Sequence, residues 1–265
     1  DFNVAYTANK VLRLPDEAKT VNIEGYNGYV NTDPSFAKKY YYFVGEGLPL
    51  YTWYLKKSAG IDPKTGEALY YKDVVDANGK VTGQETTNVW SAATDYLIGD
   101  ALAKLNGGFG TNLNAYGFDF TCNFVYALGG KVYDSGYADL MTNPYSGWTG
   151  YSYHKDVLDA WSAENPTSNI PRWQYGDQTS TSRSDRFLVS GSYLTLKNIS
   201  VGYNLPKKWI APLTLTRARI YCSADNVAYW TARKGFDPRN SLKGSSSGGG
   251  YSPIRSISGG ISVSF

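Results

Sequence analysis

Apolar and polar residues alternate with a period of two at several places along this chain, most cleanly in its last ten residues. Over 256–265 (SISGGISVSF), Ile257, Gly259, Ile261, Val263 and Phe265 share one face, and Ser256, Ser258, Gly260, Ser262 and Ser264 share the other. Such alternation marks a strand whose two faces meet different phases. Over 217–227, Ala218, Ile220, Cys222 and Ala224 alternate with Arg217, Arg219, Tyr221, Ser223 and Asp225. Between 109 and 128 the pattern predicts a hairpin. Phe109, Thr111, Leu113 and Ala115 lead into a tight turn near Tyr116-Gly117, and Phe118, Phe120, Cys122, Phe124, Tyr126 and Leu128 line the apolar side of the return strand. Asp119, Thr121 and Asn123 face the other way. In 191–205, Leu194 and Leu196 fall on one face but Ile199, Val201, Tyr203 and Leu205 on the other. A bulge near Lys197-Asn198 would shift the phase and reconcile them; a strand passing out of a membrane there is the other reading.

With further strands at 2–9 and 48–57, the tally is seven: 2–9, 48–57, 106–115, 118–129, 191–204, 217–230 and 255–265. The turns at 116–117 and 205–216 are short, whereas 58–105, 130–190 and 231–254 are long and rich in Gly, Pro, Ser, Asn and Tyr. Short and long connections alternate in the C-terminal half, as in a barrel whose two rims differ. The long link 10–47 is the exception, since it belongs on the short-turn side. Tyr153, Val157 and Trp161 recur at four-residue spacing and predict a helix over 153–161, ended by Asn165-Pro166.

Composition turns this pattern toward a membrane. Of 265 residues only 18% are charged, 26 basic against 23 acidic for a net charge of +3, while Tyr, Trp and Phe number 24, 7 and 10. A soluble surface is usually more charged, and the scattered basic excess excludes nucleic acid as a partner. No stretch is apolar for long enough to be a transmembrane helix, but a membrane strand needs only about 10 residues with every second one apolar. The small polar faces are too weak for a charged exterior and suit a filled or wet lumen. Arg217, Arg219 and Asp225, with Arg255, are lumen-facing candidates, because charge on the lipid side is costly. Cys122 and Cys222 read as two small apolar-face side chains rather than a disulfide. No signal peptide opens the chain, and Asp1-Phe2-Asn3-Val4 already reads as strand, so a piece of something longer is expected.

Several segments carry the pattern of one family. The stretch 187–206 (FLVSGSYLTLKNISVGYNLP) resembles the hallmark of the SusC/RagA-like TonB-dependent transporters of Bacteroidetes outer membranes. The stretch 218–238 (ARIYCSADNVAYWTARKGFDP) is similar to the family's "DN" strand and "KGFDP" loop, and PIRSISGGISVSF to its last strand. Segments 47–71, 96–120 and 129–137 match further upstream, so the resemblance runs through nearly the whole chain in order. It implies an all-β fold: an antiparallel transmembrane β-barrel segment, about seven C-terminal strands of a 22-stranded barrel, with long extracellular loops at 58–105, 130–190 and 231–254. It implies as partners the remaining N-terminal barrel and plug, a SusD-like lipoprotein, the TonB complex acting through the absent N-terminal region, and outer-membrane lipid. The implied function is import of glycans, or of other oligomeric nutrients such as peptides, with no catalysis and no cofactor.

Candidate residues follow from both readings. A terminal aromatic on an alternating strand resembles the signal read by the barrel-assembly machinery, which singles out Ile257, Ile261, Val263 and Phe265; ordinary strand packing is the alternative. Arg217, Arg219 and Arg255 either pair with plug carboxylates or sit as rim charges and snorkelling side chains. Asp225 and Asn226 either hold a loop to the wall or end the strand through side-chain bonds to backbone. Tyr133, Tyr137, Tyr145, Trp148, Tyr151, Tyr153, Trp173 and Tyr175 are the candidates for substrate binding or lipoprotein docking, set against packing of the loops on one another. His154 is the only histidine and has no second ligand for a metal. Asp156, Asp159 and Glu164 are not flanked into a glycosidase pair, and the spacing of Asp62, Asp73, Asp76 and Asn78 does not match a calcium loop. The rival to the transporter is a secreted β-sandwich carbohydrate-binding module, which predicts solvent-facing charge on one side of each strand.

Overall fold

A computed structural model describes residues 1–31, 41–145, 150–240, 244–246 and 252–265. Six of the seven expected strands form a six-stranded antiparallel sheet in the order β1 (Phe2–Tyr6), β10 (Leu105–Ala115), β11 (Phe118–Leu128), β14 (Tyr193–Asn204), β15 (Arg217–Thr231) and β17 (Ser256–Ser264). The β10–β11 hairpin pairs from Leu105↔Leu128 to Ala115↔Phe118 around Tyr116-Gly117. Both turn residues have positive φ, 52° and 86°, as a two-residue turn of the type I′ class requires. The phase change lies where the sequence put it. Partners of β11 jump from Leu196 to Asn198, leaving Lys197 as the extra residue. Opposite it, Asn226 of β15 takes φ 51° and accepts a hydrogen bond from Lys197 Nζ at 2.9 Å. The bulge returns Leu194, Leu196, Ile199, Val201 and Tyr203 to one face.

Register then builds one continuous apolar face. Rows across the sheet read Phe2–Phe109–Phe124–Leu196–Ala228, Leu113–Phe120–Val201–Cys222–Gly259, and Ala115–Phe118–Tyr203–Ile220–Ile261. The opposite face carries Asn, Ser, Thr, Gly, Asp and Arg, with rows such as Asn112–Thr121–Ser200–Ser223–Ser258. Among the described residues nothing covers the apolar face: Phe2, Phe118, Ile220, Ile257 and Ile261 are all exposed, Ile261 by 70%.

The expected barrel segment is corrected here. The six-stranded sheet is open and not curled on itself, and its edge strands β1 and β17 do not pair with each other. Its strand count is also not seven, because the strand expected at 48–57 belongs elsewhere. It is β5 (Thr52–Lys56) of a second sheet ordered β2 (Val21–Ile23), β3 (Tyr26–Asn31), β4 (Tyr41–Gly45), β5 and β9 (Asp95–Asp100). The physical reason is burial: Trp53 and Leu55 are fully buried and Thr52 and Lys56 nearly so, so both faces of β5 are packed in protein. A third sheet holds β6 (Ser58–Ile61), β7 (Ala68–Val75) and β8 (Val81–Thr87), and a fourth β13 (Leu188–Ser190), β12 (Lys131–Asp134) and β16 (Ser245–Ser246). Among the described residues no helix is long and apolar enough to cross a membrane. The helix expected at 153–161 is a short 3₁₀ helix, Lys155–Asp159, while α1 (Ser135–Leu140) lies upstream of it.

The three smaller sheets make a body on one end of the large one. Every long connection leaves from that end, β1 to β10, β11 to β14 and β15 to β17, while the Tyr116-Gly117 turn and the link through α2 (Lys207–Ile210) occupy the other. The hydrophobic core sits in the body: Tyr42, Trp53, Leu55, Ala101, Tyr133, Ala138, Met141 and Phe187. No residue of the six-stranded sheet belongs to that core cluster, so the sheet is not half of a sandwich. The Trp53 indole N–H donates to the Lys131 carbonyl at 3.0 Å, joining the second sheet to the fourth.

Candidate functional site

Three places concentrate polar chemistry. The first is on the polar face of the large sheet, at the short-turn end. Arg219 of β15 reaches across β14 to Asp119 of β11, with Nε–Oδ2 at 2.8 Å and Nη2–Oδ1 at 2.5 Å. The crossing is possible because Gly202 lies between them: a Cβ there would stand 2.4 Å from Arg219 Nη2. Asn204 donates to Asp119 at 3.2 Å and accepts from Arg217. Arg219 therefore has its carboxylate within this chain. Asp225 accepts from Asn198 at 2.8 Å, and Asn226 Nδ2 donates to the Ile254 carbonyl at 3.0 Å. The strand continues through this pair to Thr231, so Asp225 ties β15 to β14 and Asn226 ties the approach to β17 onto β15. Arg255 is exposed just before β17. Ile257, Ile261 and Val263 lie on the apolar face of β17 and Phe265 follows it, 86% exposed.

The second place is inside the body, where four of the predicted aromatics pack. Tyr133 is buried between Trp53 and Phe187, with ring centroids at 6.4 and 6.0 Å. Tyr137 stands edge-on to His154 at 4.9 Å and donates from its hydroxyl to Asp156 at 2.9 Å. Burial, and then the bond to Asp156, push its phenol up to about 12. Tyr153 and Trp173 pack edge to face at 4.7 Å. Tyr145 is half-buried, Tyr151 and Tyr175 are exposed, and Trp148 lies outside the described residues. The sequence reading passed over the charges that lock this layer. Asp134 caps α1 by accepting from the Tyr137 N–H at 3.0 Å and pairs with Arg233, whose guanidinium lies 3.9 Å from the Tyr137 ring centroid. Asp237 pairs with Arg239, which in turn donates to the buried Thr195 of β14 at 3.3 Å. The KGFDP match pointed at this loop but not at its arginine partners.

The third place is an open groove of about 470 Å³ beside Tyr175. Arg172 forms its floor, held by Asp177 at 2.8 Å and Glu67 at 2.9 Å. Glu67 also accepts from Asn88 Nδ2 at 2.8 Å, and Ser180 Oγ donates to Asp177 at 2.8 Å. Buried Asn143 braces the floor from behind, donating to the Asp177 carbonyl at 2.6 Å. Only Tyr175 of this group was singled out by sequence; the rest are isolated polar residues brought together from positions 67 to 180.

Comparison with known proteins follows the same line. No family model matches the chain. It is 24% identical over 290 residues to TonB-dependent receptor P3 of Formosa agariphila, 28% over 243 residues to receptor P26 and 23% over 283 residues to receptor P39 of the same organism. These alignments cover 100%, 84% and 96% of the chain. The chain is homologous to TonB-dependent transporters of the SusC/RagA type. It spans about a quarter of the length of the relatives it matches, 26%, 23% and 26%. Solved structures agree: the RagAB peptide importer in its "closed-closed" state superposes with a TM-score of 0.76 at 25% identity, over 100% of this chain and 27% of that one. The RagAB peptide transporter gives 0.66 at 25% identity over 85% and 26%. The "open-open" importer gives 0.73 at 24% over 100% and 26%, a likeness of fold. The relatives it matches are TonB-dependent receptors, a transport family. Among the described residues no group of three or more His, Cys, Asp or Glu could hold a metal ion.

Proposed function

We propose that the chain is the C-terminal portion of a TonB-dependent importer of the bacterial outer membrane. It would take up oligomeric nutrients, glycans or peptides, together with a SusD-like lipoprotein, and draw energy from TonB through another part of the transporter. One observation carries this reading: an in-register apolar face spans six strands and is bare, beside a polar face built of small residues. A face of that extent is a binding surface for something non-aqueous, and outer-membrane lipid fits its lack of charge. The body, on the side of the long connections, is the part that meets substrate and lipoprotein. A sandwich module is the poorer reading, because the core lies outside the sheet.

Cells lacking the gene should lose uptake of the oligomer that the wild type imports, and collapsing the proton gradient should stop uptake in the wild type. The protein should fractionate with the outer membrane. Recovery in the soluble fraction, or uptake indifferent to the gradient, overturns the reading. Ile257, Ile261, Val263 and Phe265 are proposed as the assembly signal of this importer. Deleting Phe265 should lower the outer-membrane yield, and an unchanged yield rejects that role.

A further inference from the structure

We propose that the groove beside Tyr175 is a subsite for a neutral pyranose ring of an oligosaccharide. This rests on the importer reading and narrows its substrate class.

Three features of the groove select the ligand. The first is what remains free. Tyr175 is 61% exposed at its edge. Neither its hydroxyl nor the side-chain amides of Gln174 and Gln178 make a hydrogen bond among the described residues, and Asn88 spends only its Nδ2 on Glu67. A flat ring with planar amides around it matches a sugar, which has an apolar face and a rim of hydroxyls that both donate and accept.

The second feature is charge. Arg172, the one cation on the floor among the described residues, is already matched by two carboxylates, Glu67 and Asp177. Among the described residues that line the groove no unpaired positive charge is left for a uronate, a sulfate or a peptide carboxylate, since one cation stands against two carboxylates. The carboxylate oxygens are themselves engaged by Arg172, Asn88 and Ser180, so they form a rigid wall rather than a cation site.

The third feature is the backbone. An extended peptide binds through unpaired main-chain groups. Here the Gly176 N–H donates to Pro144, the Thr179 carbonyl accepts from the Tyr70 hydroxyl at 2.7 Å, and the Gln174 and Asp177 carbonyls accept from Asp177 N–H and Asn143. Side-chain amides and one ring are what the groove offers a ligand.

The test is calorimetric titration of the full-length protein in detergent. The probes are the neutral hexasaccharides of glucose, mannose, galactose and xylose, then hexagalacturonate and hexaalanine. At least one neutral hexasaccharide should bind. Tyr175→Ala should weaken it by about tenfold or more, the loss of one stacking partner, while Tyr175→Phe, which keeps the ring, should stay within about twofold of wild type. Hexagalacturonate and hexaalanine should bind at least about tenfold more weakly than the neutral chain. The inference is overturned if no neutral hexasaccharide binds, if binding ignores Tyr175→Ala, or if the acidic sugar or the peptide binds as well through Tyr175. Any of these leaves the importer reading standing, because that depends on fractionation and uptake; a soluble protein would sink the importer without touching the titration.

Discussion

At the scale of single residues, the body is held by a few side chains whose environments are unambiguous. Trp53 is fully buried, touches Tyr42 and Tyr133, and donates across to Lys131. Trp53→Ala should destabilise the body by about 3–5 kcal/mol, the usual cost of emptying a large aromatic site, read as a lowered midpoint in chemical unfolding. Asp185 behaves oppositely. Burial raises its carboxyl above the ordinary range, and its hydrogen bond from the Ser58 N–H at 2.8 Å offsets only part of that. A carboxyl raised in the folded state takes up its proton on folding, so stability falls as pH rises from the unfolded value through the raised one. Asp185→Asn keeps an oxygen for Ser58 and removes the charge. It should therefore raise the melting temperature at pH 7, with the gain vanishing near pH 3. An equal effect at both values would mean that the charge is not the cause.

At the scale of elements, what was legible followed from how each strand is surrounded. β10, β11, β14, β15 and β17 each divide two environments, so their sequences alternate and even the Lys197 bulge could be located. β5 alternates poorly because protein covers both its faces, and its sequence says strand without saying which sheet. β8 (VTGQETT) is exposed nearly throughout and carries no apolar stripe to read. The groove was illegible for another reason. Glu67, Asn88, Asn143, Arg172 and Asp177 come together only after the third sheet and the loops have folded, and no spacing in the chain announces that. Deleting Lys197 tests the element that sequence did locate. Losing one residue turns either Leu194 and Leu196 or Ile199, Val201 and Tyr203 onto the polar face. At about 1.5–3 kcal/mol for each large apolar side chain so displaced, the deletion should abolish recovery of folded protein, whereas Lys197→Ala should be recovered normally.

At the scale of the molecule, the misplaced strand also explains the misfit of the long 10–47 link. With 48–57 removed from the large sheet, residues 7–104 become one connection, and every long connection rises from the same end. The molecule thus separates two jobs: an open sheet with one apolar and one polar face, and a body with its own core that carries the groove. The most direct measurement concerns that apolar face. In the full-length protein, with Cys122 and Cys222 replaced by Ser, a fluorophore is placed at Ile261→Cys or at its neighbour Ser262→Cys. The account predicts quenching by a lipid-borne nitroxide at 261 and not at 262. Equal quenching at both, or quenching of 261 only by a water-soluble agent, would contradict it.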